Sequence, residues 1–200
     1  MRVRFPPPAF SRLLASSRLV GATPQPELGR RLRESRLAAG RSLAEVAEAT
    51  EISPSFLSMV EKGTSDLSIG RLLRLTHYYG VDIADVVYGS GQADDDAERR
   101  RRLTSPAEGL EMQFLVDRPR SLRPSFTTIA PGGGNLEAVR NIGDAFVYLL
   151  EGELIVEVDD DPPLTLREGD YIYLERERLR RFRNVTDKPA RTLSVVLRSA

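Results

Sequence analysis

The spacing of apolar residues changes once along this 200-residue chain, near residue 100, and one layer of structure cannot accommodate both patterns. Up to Tyr88 the apolar side chains fall three and four apart, which is the spacing of one helix face. From Leu110 onward they alternate in short β-branched and aromatic runs broken by Gly, Pro and Asp, as half-buried strands do. The chain is therefore expected to be α + β, a helical domain over 27–89 followed by an all-β domain over 110–200. Between them, 90–109 holds Asp94-Asp95-Asp96 and the run Arg99-Arg100-Arg101-Arg102 without an apolar period, and reads as a solvated, charged linker. Residues 1–26 carry Arg2, Arg4, Arg12 and Arg18, no acid and the run Pro6-Pro7-Pro8, and read as a disordered basic arm. Such an arm either tracks phosphates or is a dispensable extension.

Within 27–89 the boundary signals are local and strong. Leu28, Leu32 and Leu37 mark a first helix, ended by Gly40 as a left-handed cap. Ser42 opens a second, and Glu45 three residues on completes a capping box. That helix runs to Thr50. Ser53 and Pro54 then supply an N-cap and a first-turn proline for a third helix ending near Gly63. Two short capped helices three residues apart, with Val46, Ala47, Ile52, Leu57 and Val60 facing inward and the small Ala47 at their crossing, form a helix-turn-helix arrangement. Further helices are expected over 68–79 and 82–88.

Bulk composition narrows the function classes. Lys plus Arg equals Asp plus Glu, 29 of each, so any nucleic-acid footprint has to be local. The absence of cysteine excludes disulfides and thiolate metal sites, and the single histidine, His77, excludes imidazole clusters. No apolar run reaches the length of a membrane span and no apolar signal core is present, so a cytoplasmic protein with no membrane partner is expected.

The first domain resembles the XRE family of regulators, the Cro and lambda-repressor type. The segments Leu28-Gly29-Arg30-Arg31-Leu32-Arg33 with Arg36, Ser42-Leu43-Ala44-Glu45-Val46-Ala47, Ile52-Ser53 and Ser58-Met59-Val60-Glu61-Lys62-Gly63 follow the family's order and spacing. Glu51 and Leu67 depart from it, at positions where glycine and proline are usual, and Glu51 is expected to extend the second helix rather than enter a left-handed turn. The resemblance implies that the third helix enters the major groove of DNA with Ser53, Pro54, Ser55, Ser58, Met59 and Lys62 outward. It implies phosphate contacts from Arg41, Ser42 and Leu43, from Lys62 and Thr64, and from Arg71. Arg36 and Glu61 occupy positions that the family pairs across the first and third helices. No arginine is available for a bidentate guanine contact, so specificity should lean partly on DNA shape and bridging water. The competing reading is a helical bundle that binds no DNA, since the domain holds eight basic and nine acidic groups.

In the second domain, strands are expected over 113–116, 125–130, 146–150, 153–158, 171–174, 181–185 and 192–197, and many short strands at even spacing suggest a jelly-roll barrel. This region resembles a cupin. Gly133 and Gly152 occupy the glycines of the family's first motif, and Gly169 and Asn184 match in the second. The metal-ligand positions, by the same resemblance, hold Val139, Asn141, Ala145 and Arg180, while the second motif's proline and glycine positions hold Glu175 and Glu177. No metal and no other cofactor is expected, because valine and alanine offer no donor and an arginine repels a cation.

Some proteins with this domain pair are iron-dependent oxygenases or epoxidases, so an enzyme is the main rival class. Such enzymes need the histidines missing here, and no catalytic residue is assigned. The resemblance instead implies a homodimeric transcription regulator on a palindromic operator with half-sites roughly 34 Å apart. Its barrel either senses a small anionic effector or serves dimerisation alone. Alternation places Val139, Asn141, Ala145, Val147, Leu149 and Phe182 around Arg180. Arg180 then needs an acceptor, which is either an internal carboxylate, Glu137 or Asp144, or a bound carboxylate or phosphate assisted by Asn141.

Overall fold

Helices precede strands in the computed structural model, which describes residues 25–88, 102–116, 121–140 and 143–197. The helices are α1 (Gln25–Ala38), α2 (Leu43–Thr50), α3 (Pro54–Glu61), α4 (Ile69–Tyr79) and α5 (Ile83–Tyr88). Residues 1–24 of the expected arm and 89–101 of the expected linker lie outside the described residues, whereas Gln25 and Pro26 open α1.

The caps read from sequence are present as bonds. Ser42 and Glu45 form the reciprocal capping box, and the Ser53 hydroxyl accepts from the amide of Phe56. Three details differ from expectation. Leu37 is 57% exposed while Leu28 and Leu32 are buried. At about 100° per residue, nine positions place Leu37 on the far side of the helix from Leu28. The buried stripe is continued by Arg31 and Arg36. Glu51 adopts the left-handed conformation, φ 55° and ψ 29°, instead of extending α2. The carbonyl of Thr50 is taken by Arg74 Nη1 at 2.9 Å and Ile52 must turn inward, which offsets a backbone cost of about 1–2 kcal/mol. Close helix crossing also uses Gly29, not only Ala47: a Cβ on Gly29 would lie 2.2 Å from the carbonyl oxygen of Val60, so α1 meets α3 backbone to backbone.

The strands are β1 (Arg102–Ser105), β2 (Leu110–Phe114), β3 (Leu122–Ile129), β4 (Ala145–Glu151), β5 (Glu153–Val158), β6 (Leu164–Arg167), β7 (Tyr171–Leu174), β8 (Arg180–Arg183) and β9 (Ala190–Leu197). They form two antiparallel sheets, one in the order β1-β2-β3-β9-β4-β7 and one in the order β6-β5-β8. Inward and outward residues alternate strictly along β3 and β5, which fixes their register against a buried interior. Strands β1 and β6 were not expected. The polar string 90–109 conceals β1, which pairs with β2 from Arg102↔Gln113 to Ser105↔Leu110 and buries Arg102 and Leu103. A short 3-10 turn over Pro106–Glu108 completes the connection, so 102–109 belongs to the barrel and not to a linker.

Buried residues of the helices and barrel form one contiguous apolar cluster. The junction is also tied by polar contacts. Asp82 at the start of α5 forms a buried ion pair with Arg123 of β3, and Arg74 of α4 pairs with Glu137. The Glu108 carboxylate accepts from the backbone amides of Ile69 and Gly70 at 2.7 and 3.2 Å, capping α4 from the barrel side. A Cβ on Gly70 would lie 2.9 Å from that carboxylate, so the approach requires glycine.

Candidate nucleic-acid interface and barrel cavity

The α2–α3 unit is held rigidly from behind. Arg36 of α1 donates from Nε and Nη2 to the two carboxylate oxygens of Glu61 at 2.6 and 2.9 Å, and from Nη1 to the carbonyl of Arg41 at 2.8 Å. Both charged side chains are almost fully buried. One guanidinium thereby ties the first helix to the end of α3 and to the residue preceding the α2 N-cap. At the entry to α2, the Ser42 amide and hydroxyl both donate to Glu45, which holds that carboxyl below its ordinary range.

The outer surface of this unit carries the side chains expected there. Arg41, Ser42, Ser53, Pro54, Ser55, Met59, Lys62 and Thr64 are exposed, and Ser58 is half-buried. Leu43 is half-buried against the core, so its side chain is committed inward. Some hydroxyls are already engaged. Thr64 Oγ1 donates to the carbonyl of Met59 at 3.1 Å, and the Ser42 hydroxyl donates to Glu45, leaving each oxygen to act toward a further group as an acceptor. Arg41 stacks 5.6 Å from the ring centre of Tyr78, and Arg71 lies 5.0 Å from that of Phe56, so two cations beside α2 and α3 are pre-positioned by aromatic faces.

A cavity of about 120 Å³ opens inside the barrel, bounded on one side by α4 and α5. Val139, Ala145, Val147, Arg180 and Phe182 line it together. Their convergence follows from pairing: Arg180 and Val139 exchange backbone hydrogen bonds at 2.9 and 2.8 Å, and Ala145 and Val147 share the inward face of β4. Leu149 is fully buried but does not line the cavity. It sits four residues beyond Ala145, about 13 Å further along the strand, where its amide and carbonyl bond Asp170 and Gly169. Asn141 lies outside the described residues.

Arg180 is 7% exposed, and its Nη1 has no hydrogen-bond partner among the described residues. Burial alone pushes the guanidinium down to about 10. Neither carboxylate expected as its partner is available. Glu137 pairs with Arg74, and Asp144 accepts from the Tyr173 hydroxyl at 2.5 Å and the Arg176 amide at 2.9 Å, contacts that hold its carboxyl below the ordinary range. The metal expected of a cupin does not fit this site. Its ligand positions present Val139, Ala145 and a buried cation, and among the described residues no cluster of three or more His, Asp or Glu is placed to hold an ion.

Several lining residues were not among those expected from the sequence. Ser125, Thr127, Thr192 and Ser194 bring hydroxyls from β3 and β9, and Leu73, Thr76 and His77 come from α4. Alternation along β3 puts Ser125 and Thr127 on the inner face, but nothing local to α4 indicates that it closes a barrel.

Comparison with known proteins divides the chain in the same way. A model described as a helix-turn-helix domain matches residues 27–87, and one described as a cupin domain matches residues 125–196. The HTH-type transcriptional regulator RamB of Mycobacterium tuberculosis is 42% identical over 55 residues, which is 28% of this chain and 12% of RamB. The chain thus matches only about an eighth of that relative's length. A crystal structure of an HTH_3 family transcriptional regulator from Vibrio cholerae superposes with a TM-score of 0.72 at 18% identity, over 88% of this chain and 98% of that one, and shows the fold to be common to both. Hydroxypropylphosphonic acid epoxidase from S. wedmorenis, in complex with fosfomycin, reaches a TM-score of 0.40 at 20% identity over 88% of this chain and 100% of its own, too low to bear on function.

Proposed function

We propose that this chain, whose residues 27–87 match a helix-turn-helix domain and 125–196 a cupin domain, is an XRE-type DNA-binding transcriptional regulator, not an enzyme, whose barrel senses a small anionic metabolite. The observation that carries the DNA-binding half is the outward surface of α3 and its cap, where Ser53, Pro54, Ser55 and Met59 are exposed and Ser58 half-buried, backed by the buried Arg36–Glu61 pair. Such a helix is rigid, short-sided and narrow enough for a major groove. The sensing half rests on Arg180, a buried cation in a mostly apolar cavity in which the described residues at the cupin ligand positions, Val139, Ala145 and Arg180, offer no metal donor. Working on DNA, the protein acts in the cytoplasm.

Selection from random duplex DNA with the full chain should enrich a palindrome, bound with an affinity that falls steeply as salt rises. Lys62→Ala weakens all duplexes to a similar degree, because a phosphate contact reads no sequence. Ser55→Ala and Ser58→Ala instead change which bases are preferred, at about 1–3 kcal/mol for each lost base contact. Recovery of no motif would overturn the regulator reading.

A palindrome calls for two copies. The outer face of β4 and the edge strand β7 carries Phe146, Tyr171 and Tyr173, all exposed, with the rings of Phe146 and Tyr171 5.5 Å apart. We assign this aromatic patch to the homodimer contact. Sedimentation of the full chain should give a dimer, and Tyr171→Arg should shift it to monomer. A parent protein that sediments as a monomer at operator-binding concentrations would count decisively against the assignment.

A further inference from the structure

Two buried polar atoms without a hydrogen-bond partner among the described residues belong to side chains that line one cavity from two domains. They are Nη1 of Arg180 on β8 and Nδ1 of His77 on α4. We propose that this cavity is a site for a short-chain hydroxy- or oxo-carboxylate, shared by the barrel and the DNA-binding domain, and that its occupancy sets how firmly α4 docks on the barrel. The inference rests on reading the chain as a DNA-binding regulator, and specifies what it senses and through which contact.

The chemistry of the walls selects the ligand class. Of the cations around the cavity, Arg123 is paired with Asp82 and Arg140 donates to the carbonyl of Glu177, whereas Arg180 Nη1 has no acceptor among the described residues. Guanidinium geometry matches a carboxylate through two parallel N–H donors. A phosphate would bring up to two negative charges to one such cation, among walls that include Val139, Val147, Phe182 and Leu73. The surplus charge would be buried at a cost that those walls do not offset. Size sets a second limit. A cavity of about 150 Å³ takes a benzene ring, so about 120 Å³ takes on the order of six non-hydrogen atoms. The orphaned His77 nitrogen adds a third. A hydroxyl can bond either tautomer of the imidazole, and an oxo group can accept from its N–H form, whereas a plain alkyl tail meets neither need.

The position of His77 makes the site a sensor of domain docking. Its other ring nitrogen lies 3.5 Å from the carboxylate of Glu177 in the barrel, and Leu73 and Thr76 of the same helix complete the wall. A molecule held between Arg180 and His77 therefore bonds the barrel to α4 directly. That helix packs against the helix-turn-helix unit through Arg74, which donates to the end of α2.

Calorimetry on the full chain, with lactate, pyruvate, propionate, propionamide and inorganic phosphate as probes, tests the assignment. The first two should bind, propionate about 10-fold more weakly, and propionamide and phosphate not measurably at millimolar concentration. Arg180→Met should lose about 100-fold in affinity without a lower melting temperature, since it removes an unpartnered buried charge. Should that variant fail to fold, Ala145→Leu fills the same cavity and should abolish binding. His77→Ala should lose about 10-fold and remove the effect of the ligand on operator affinity. Binding should also slow hydrogen exchange of the α4 amides. Unchanged affinity in either the Arg180 or the His77 variant overturns the shared site, as does phosphate binding equal to that of lactate or the failure of every probe to bind. If the protein selects an operator but binds no probe, the sensing site fails and the regulator reading stands. If probes bind but no operator is enriched, the reverse holds.

Discussion

Arg36→Ala should cost the helical domain about 3–5 kcal/mol, the largest loss expected from one substitution in this chain. The arginine and Glu61 side chains are 9% and 8% exposed, and their paired hydrogen bonds join α1 to the last residue of α3. Removing the cation leaves the Glu61 carboxylate out of water without its partner. Tyr79, close to that carboxylate, has its phenol pushed up chiefly by burial, a sign that the surroundings disfavour uncompensated negative charge. The variant also loses the bond to the Arg41 carbonyl that fixes the entry to α2. Operator binding should therefore fall together with stability. The double variant Arg36→Leu with Glu61→Leu should recover most of the stability, because apolar groups of similar volume carry no desolvation penalty. Urea unfolding of the full chain followed by circular dichroism reads both. A loss below about 1 kcal/mol for Arg36→Ala would mean that the pair behaves as a solvent-screened one.

The full chain should unfold in one thermal transition, and Glu108→Ala should split it in two, with loss of about 2–3 kcal/mol of coupling between helices and barrel. Its carboxylate is 2% exposed and spends its oxygens on the first two amides of α4, where the positive end of the helix adds to the bond strength. The Ser68 hydroxyl accepts from the amide of Arg71 and cannot replace it. Gly70→Ala should act in the same direction, since the added methyl would lie 2.9 Å from the same carboxylate. Glu108→Gln, which keeps one acceptor oxygen, should fall between parent and Glu108→Ala. Differential scanning calorimetry showing one unchanged transition in Glu108→Ala would sink the idea of a latch.

Much of the helical domain was legible because its determinants lie within a turn of one another. Ser42 and Glu45, Ser53 and Pro54, and the glycine after α1 act through bonds three or four residues long, and the structure contains them as read. The inner face of the barrel was legible for the same reason: alternation along β4 and β5 is a property of adjacent residues. Where reading by type went astray, geometry corrects it. Leu37 looked like core by chemistry, yet helical rotation turns it to solvent and brings Arg36 inward. Leu149 has the right parity for the cavity and the wrong distance along its strand.

The sequence by itself determined the succession of a helical and a β-rich region, the caps of the short helices, and the residue types at the positions where a cupin carries its metal ligands. Only the tertiary structure decided which charges have partners. Glu108 and Arg102 stood in an apparently solvated run, but the first finds its amides 39 residues away and the second pairs with Glu111 across a strand ladder. Whether Arg180 had an internal carboxylate depended on Glu137 and Asp144, and each is taken by a neighbour, Arg74 and Tyr173, brought in from another element. His77 entered the cavity only because α4 lies across the mouth of the barrel. Caps and periods are written in spacings that the backbone fixes locally. The partner of a buried charge depends on where two distant elements come to rest, and no local spacing encodes that.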